Sequence, residues 1–217
     1  AALLEGFVAD DRDPQTTATW AKLRGWDGSS QPCQGWEGVT CDFKRVVLVN
    51  LDSPTIRSYG VLGFELGAKL SELGDRDRGV QLLLSNTGLS GTLPNFLGMT
   101  NGIKDLRVSG TKLSGTVPPN IQLERFWAHN TGLSGSLPAL VHATSLSSLD
   151  LSGCRISRLP PSLPSSIHRL SVKDNPIIVR TAKRAAGTEL VAPVRSTRCR
   201  MPIAPNASAF GTTTMRL

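Results

Sequence analysis

Ring-bearing side chains are scarce: 6 Phe, 4 Trp and 1 Tyr make this 217-residue chain only 5% aromatic. Its interior must be aliphatic, which suits a stack of Leu, Val and Ile better than a mixed globular core. No apolar run approaches the ~20 residues that a membrane helix needs. Histidine occurs 3 times, as His129, His142 and His168, and none has a carboxylate at helical spacing. There is no glycine-rich phosphate loop, no Gly-x-Ser-x-Gly elbow and no His-Glu-x-x-His pair. No catalytic residue, metal ligand or cofactor is expected, so an enzyme is disfavoured. Ala1 opens on a helix-like segment and not on a charged leader, so a mature or trimmed product is expected.

The formal net charge is +7, and it is unevenly spread. Residues 1–177 carry 17 Lys/Arg against 16 Asp/Glu, whereas residues 178–217 carry 7 against 1. The basic character belongs to the C-terminal stretch. Such a stretch can attract nucleic acid, acidic glycan or anionic lipid. It can equally be a solvated terminus. Without interleaved aromatics for base stacking, no nucleic-acid partner is expected.

Periodicity is the main signal. Leu89-Ser90-Gly91-Thr92-Leu93-Pro94 returns as Leu113-Ser114-Gly115-Thr116-Val117-Pro118 and as Leu133-Ser134-Gly135-Ser136-Leu137-Pro138. A contracted copy follows at Ile156-Ser157-Arg158-Leu159-Pro160. An alternating pair precedes each copy: Leu82/Leu84, Leu106/Val108, Phe126/Ala128 and Leu149/Leu151, then Leu170/Val172. From Leu89 through Leu113, Leu133, Ile156 and Ile177 the steps are 24, 20, 23 and 21 residues, within the range of leucine-rich repeats. A degenerate earlier unit uses Val46, Val49 and Leu51, and Ser53–Gly79 reads as an insertion. Period-two alternation puts the Leu pairs on one side of short strands, and parallel stacking of copies builds a shared core. The serines of the repeats read as turn-formers.

Three residues beyond the second strand aliphatic, where such repeats favour Asn, stand Thr87, Thr111, Thr131, Cys154 and Asn175, with Pro54 in the degenerate unit. Thr can donate its hydroxyl to a buried carbonyl there, and Cys offers a weaker donor.

The open end of a repeat array needs a cap. Leu3, Leu4, Phe7 and Val8 follow helical spacing, and Trp20, Leu23, Trp26 and Trp36 lead into the first strand. Cys33 and Cys41 flank Trp36. With no nearby His they make a poor zinc set, and a disulfide is favoured, which implies an oxidising compartment. Cys154 reads as a buried thiol. Cys199 is left to an intermolecular bond, a partner beyond the chain, or Cys154.

Ala2-Leu3-Leu4, Phe7, Asp13-Pro14, Trp26 and Pro32-Cys33…Trp36-Glu37-Gly38-Val39-Thr40-Cys41-Asp42 resemble the N-terminal cap of plant-type leucine-rich-repeat proteins. Those include receptor-like kinase ectodomains and polygalacturonase inhibitors. The run Gly110 to Pro119 is also similar to repeats of kinetoplastid surface antigens, which favour Thr at the ladder position. The resemblance covers roughly residues 1–177. It implies an α/β fold: a right-handed leucine-rich-repeat solenoid with a short parallel β-sheet on its concave face and a helical, disulfide-bonded N-terminal cap. The expected organisation is cap 1–45, repeats 46–177 and a basic C-terminal cap or tail 178–217.

Outward strand positions would tile the concave face: Asn50 and Asp52; Gln81, Leu83 and Ser85; Asp105, Arg107 and Ser109; Arg125, Trp127 and His129; Ser148, Asp150 and Ser152; Arg169, Ser171 and Lys173. Most are small and polar. Trp127, flanked by both charge signs, has the make-up of an interaction hot spot or a sugar-stacking platform, or it simply covers its neighbours. The expected ligand site is Arg107, Arg125, Trp127, His129, Asp150, Arg169 and Lys173. The expected function is an extracellular or cell-surface recognition module for a protein or glycan, with membrane attachment only through a removed anchor or a larger parent chain. The alternative is a structural spacer of a large assembly, docked by its basic tail. Asn206-Ala207-Ser208 is an N-glycosylation acceptor.

Overall fold

The computed structural model describes residues 7–8, 23–25, 30–52, 59–62, 65–75, 77–94, 102–118, 121–137, 140, 143–160, 163–177 and 215–216. The strands are β1 (Phe7–Val8), β2 (Val39–Asp42), β3 (Arg45–Asn50), β4 (Tyr59–Leu62), β5 (Val80–Leu83), β6 (Gly88–Ser90) and β7 (Ile103–Arg107). They continue as β8 (Ser114–Thr116), β9 (Arg125–Trp127), β10 (Gly132–Ser136), β11 (Ser148–Asp150), β12 (Arg155–Arg158), β13 (Arg169–Ser171) and β14 (Met215–Arg216). Helix α1 (Glu65–Leu73) is the only α-helix among the described residues. The coils are therefore built from strand and loop far more than from strand and helix, in place of the α/β build expected.

One sheet organises the chain, in the order β14-β13-β11-β9-β7-β5-β3-β2. Its six middle members run parallel. The edge strands β2 and β14 run antiparallel to their neighbours. Alternation sets which side faces in. Val49, Leu82, Leu106, Phe126, Leu149 and Leu170 stand in register as one buried row. Leu51, Leu84, Val108, Ala128 and Leu151 are buried behind them. Val172, in the last described coil, is only partly buried. Each fully buried aliphatic side chain contributes roughly 1.5–3 kcal/mol, so stacking and not any single coil holds the array.

The Leu-Ser-Gly runs are strand and not turn. Strands β8, β10 and β12 form a second parallel sheet, and β6 joins a third with β4 and β1. Ser114 donates from Oγ to the Gly91 carbonyl at 3.3 Å, and Ser134 to the Gly115 carbonyl at 3.2 Å. The serines expected as turn-formers thus tie each coil to the one before.

The described parts of residues 53–79 likewise do not stand apart as an insertion. Strand β4 pairs in parallel with β6, and Leu66 and Leu70 of α1 enter the common core, so both elements belong to the stacked coils. Phe7 and Val8, expected on a helix, are extended and pair antiparallel with Leu62 and Val61, where β4 offers an open edge. Leu3 and Leu4, expected on the same helix, lie outside the described residues, as do Cys199 and Asn206.

At the ladder position each Thr closes its own turn: Thr87, Thr111 and Thr131 donate to the carbonyls of Leu84, Val108 and Ala128 at 2.8, 2.7 and 2.9 Å. Cys154 is a buried thiol outside the disulfide, and its Sγ donates to Ala128 O in the preceding coil at 3.2 Å. Asn175 does the most. It donates to Leu151, Val172 and Lys173 carbonyls and accepts from the Ile156 N–H at 2.8 Å.

One residue before the ladder runs a column in the left-handed region: Asn86, Gly110, Asn130, Gly153 and Asp174. A Cβ on Gly110 or Gly153 would meet the amide oxygen of the preceding coil's Asn86 or Asn130. The Asn/Gly alternation is thus a packing rule, with a side chain in one coil filling the space left by its absence in the next.

Cys33 and Cys41 form a disulfide, with their Cα atoms 5.7 Å apart. The loop it closes wraps the buried Trp36, whose Nε1 donates to Ser30 Oγ at 3.0 Å.

Candidate functional site

The outer face of the large sheet carries two in-register rows. One reads Gln81, Asp105, Arg125, Ser148, Arg169, and the other Leu83, Arg107, Trp127, Asp150, Ser171. His129 and Lys173 follow just beyond β9 and β13.

Asp105 is the centre of this surface. An outward strand position should leave its carboxylate wet, yet the side chain has 0% of its surface exposed. Arg107, two residues on, donates from Nη2 to Oδ2 at 3.0 Å and from Nε to Oδ1 at 3.4 Å. Arg125, one strand over, donates from Nε to the same Oδ2 at 2.9 Å. The guanidinia keep 31% and 42% of their side-chain surface in water. A buried carboxylate is tolerable only when ionic donors replace its water, and here two do so.

Arg107 also stacks on Trp127, with Cζ 4.3 Å from the ring centroid. The indole N–H donates to Ser148 Oγ at 3.2 Å. Trp127 is therefore not the open platform that its composition suggested: a guanidinium occupies a ring face, and its edge covers the nearly buried Ser148.

His129 lies between two neighbours, with Nδ1 2.9 Å from Ser109 Oγ and 3.7 Å from Asp150 Oδ2. A Ser–His–Asp relay needs the hydroxyl and the carboxylate on opposite ring nitrogens. Here both address Nδ1, so the trio cannot activate the serine in that way. Asp150 also accepts the Ser152 N–H at 2.9 Å.

Contacts thus join Arg107, Arg125 and Trp127 through Asp105, and His129 to Asp150. Arg169 and Lys173 share the sheet face without joining either cluster. Asp105 and Ser109 had stood only among the polar tiles. The available signal was an Asp with one arginine two residues on in its own strand and a second in register on the next strand, which would leave it desolvated once both side chains folded over it. Among the described residues no group of three His, Cys, Asp or Glu side chains is placed to hold a metal.

Residues 3–42 match the family model described as leucine rich repeat N-terminal domain, and residues 145–167 that described as leucine rich repeat. Among solved structures, the chain is similar to that of the PEPR1–AtPEP1 crystal structure, at 30% identity and TM-score 0.56, over 80% of this chain and 24% of that one. It is similar to the BIR2 ectodomain from Arabidopsis thaliana, at 19% identity and TM-score 0.59, over 85% and 96% of the two chains. A chain of the BIR3–SERK2 complex from Arabidopsis thaliana matches at 22% identity and TM-score 0.57, over 86% and 96%. The chain therefore spans about a quarter of the first of these and nearly all of the other two. The stacked coils and parallel sheet are those of the leucine-rich-repeat fold. Among curated proteins no sequence matches.

Proposed function

We propose that this leucine-rich-repeat solenoid is a non-catalytic recognition module, extracellular or at a cell surface, that binds its ligand on the outer face of the large sheet. The contact surface is Arg107, Arg125, Trp127, His129 and Asp150, with Arg169 and Lys173 beside it. Residues 46–177 carry the repeats that present it.

Asp105 carries this reading. The fold asks only for small polar groups on that face, as Ser85, Ser109 and Ser152 supply. A desolvated carboxylate with two arginines adds little net stability, because desolvation offsets most of the Coulombic gain. What it does add is a fixed arrangement of two guanidinia and an indole, the residue types that dominate binding hot spots. A spacer has no use for such an arrangement.

The Cys33–Cys41 bond supports an oxidising compartment. The structures of PEPR1 with AtPEP1 and of BIR3 with SERK2 are precedents for this fold as a binding scaffold. The ligand class, protein or glycan, is open at this level.

Site-specific photo-crosslinking tests the face. A crosslinker placed at Ser171, on the large sheet, should capture the ligand, and one at Ser136, on the second sheet, should not. Capture from Ser136 alone would move the site to the other side of the coils.

A further inference from the structure

We infer that the edge of β2, with Phe43 at its end, is a second interaction surface, and that the partner it fits is the same strand of a second copy of this chain. The two large sheets then join across a two-fold axis at Cys41.

Backbone bonding comes first. Strand β2 is an edge of the eight-stranded sheet, and its four residues make it longer than the two-residue β14 at the other edge. In an antiparallel ladder alternate residues turn both backbone groups toward the neighbouring strand or away from it. Gly38 gives its carbonyl to the Asn50 N–H at 2.7 Å, so Thr40 is the next to bond β3, and Val39 and Cys41 face outward. The Trp36 carbonyl takes the Val39 N–H at 3.1 Å. That leaves the Val39 carbonyl and both backbone groups of Cys41 directed along the open edge. Edges are commonly guarded by Pro, Lys or another unpaired charge. Strand β2 has no Pro and no Lys, and its one charge, Asp42, is held by Arg78 at 2.7 Å.

Phe43 is an independent observation at the same edge. It is the one exposed large hydrophobic among the described residues, at 95%. Phe43 and Lys44 both take positive φ, 45° and 67°, a strain with nothing in the isolated chain to offset it. Nor is the tip loose. The Cys33–Cys41 bond, the Arg78–Asp42 pair and a 2.6 Å bond from Arg45 Nη1 to the Glu72 carbonyl all hold it. A rigid apolar tip at an unguarded strand edge has the parts of a contact surface.

Self-pairing matches those parts. With β2 laid antiparallel to its copy, each Cys41 N–H donates to the other Cys41 carbonyl, and each Phe43 N–H to the other Val39 carbonyl. Phe43 then lies beside the Val39 side chain of the second copy, which its own core covers only in part. Lys44, exposed and in no ion pair among the described residues, comes to the end of the strand where the second copy exposes Glu37. Such a contact is isologous and closes at two copies. An anionic bilayer is a poorer match, because Glu72 and Asp77 are exposed next to the tip's Arg45 contact and to Arg78. Four main-chain bonds and two rings bury little area, so the dimer is a weak one.

The test is sedimentation velocity of the full, oxidised chain over a wide concentration range, which should show monomer passing to dimer. Phe43→Asn suits the left-handed turn better than Phe does, so it keeps the fold. It should weaken association roughly a hundredfold, about tenfold for each ring. Amide exchange at Cys41 should slow as the parent chain is concentrated, and much less in the variant. A photo-crosslinker at Thr40 should join two copies, and one at Ser136 should not. The inference fails if the chain stays monomeric throughout, or if Phe43→Asn associates as the parent does. It fails too if a dimer forms while Cys41 exchange and Thr40 crosslinking report no contact. None of these outcomes bears on the ligand face, which crosslinking from Ser171 tests separately.

Discussion

Arg107 lies with Cζ 4.3 Å from the centroid of the Trp127 ring while its Nη2 donates to the buried Asp105 carboxylate at 3.0 Å. The indole is thus held from β7 through a guanidinium that is itself held by the carboxylate. A partly exposed cation–π stack contributes about 0.5–1 kcal/mol. The charge-assisted bonds to Asp105 count for more, because their loss leaves two arginines without a fixed acceptor.

Asp105→Ala should therefore destabilise the protein by roughly 2–3 kcal/mol, short of the ~3–5 kcal/mol of a fully buried pair because both arginines stay partly wet. For a chain of this size that is a melting temperature lower by about 2–4 °C per kcal/mol. Asp105→Asn keeps one acceptor and should lose less. A double-mutant cycle of Asp105→Asn with Arg125→Gln, followed by urea denaturation, should show coupling. Strict additivity would mean that the contact does not act as a unit.

The repeat phase was legible in the sequence because period-two alternation leaves Leu82, Leu106, Phe126 and Leu149 one choice of side, and all are buried as expected. The disulfide was legible from two cysteines flanking a Trp with no His nearby. The second sheet was not. Leu-Ser-Gly reads as a turn because glycine commonly supplies one. In the coils Gly91, Gly115 and Gly135 do adopt positive φ, but the serine before each is extended and pairs. Nor was the burial of Asp105 legible. Alternation says which side a residue faces, and it does not say which long side chains will fold over it.

Cys33 and Cys41 close a short loop, and removing such a link costs about 2–3 kcal/mol in the chain-entropy model. Cys33→Ser/Cys41→Ser should lower stability by that amount and loosen the packing of Trp36 inside the loop. Mass spectrometry of unreduced peptides should find the two cysteines linked in native protein. Free thiols at both positions would remove the main support for an oxidising compartment.

At the ladder position Asn175 and the threonines should respond differently to truncation. Thr111→Val removes one hydroxyl bond within its own turn and should cost about 1 kcal/mol. Asn175→Ala removes an amide whose two Nδ2 hydrogens are shared among three carbonyls and leaves the Ile156 N–H without its acceptor, so roughly 2–3 kcal/mol is expected. Hydrogen exchange at Ile156 should rise with it. Equal costs at the two positions would show that bonding between coils adds nothing to bonding within one.

The turn between β2 and β3 offers the opposite sign of prediction. Phe43 and Lys44 both have positive φ, 45° and 67°, and Phe43 is 95% exposed. A two-residue hairpin turn of that shape favours Asn-Gly, since side chains with a full Cβ are strained in the left-handed region by roughly 1–2 kcal/mol each. Neither residue repays the strain through packing: Phe43 contributes nothing to the core, and Lys44 is exposed beside it. The hairpin is held elsewhere, by the Cys33–Cys41 bond, by Arg78 on Asp42 at 2.7 Å and by Arg45 on the Glu72 carbonyl at 2.6 Å. Phe43→Asn/Lys44→Gly should consequently raise stability by about 1–2 kcal/mol, less the entropy that glycine returns to the unfolded chain. Thermal unfolding of the variant beside the parent chain measures it. A fall in melting temperature would mean that Phe43 is covered in the folded protein and that the turn is not the relaxed alternative's inferior.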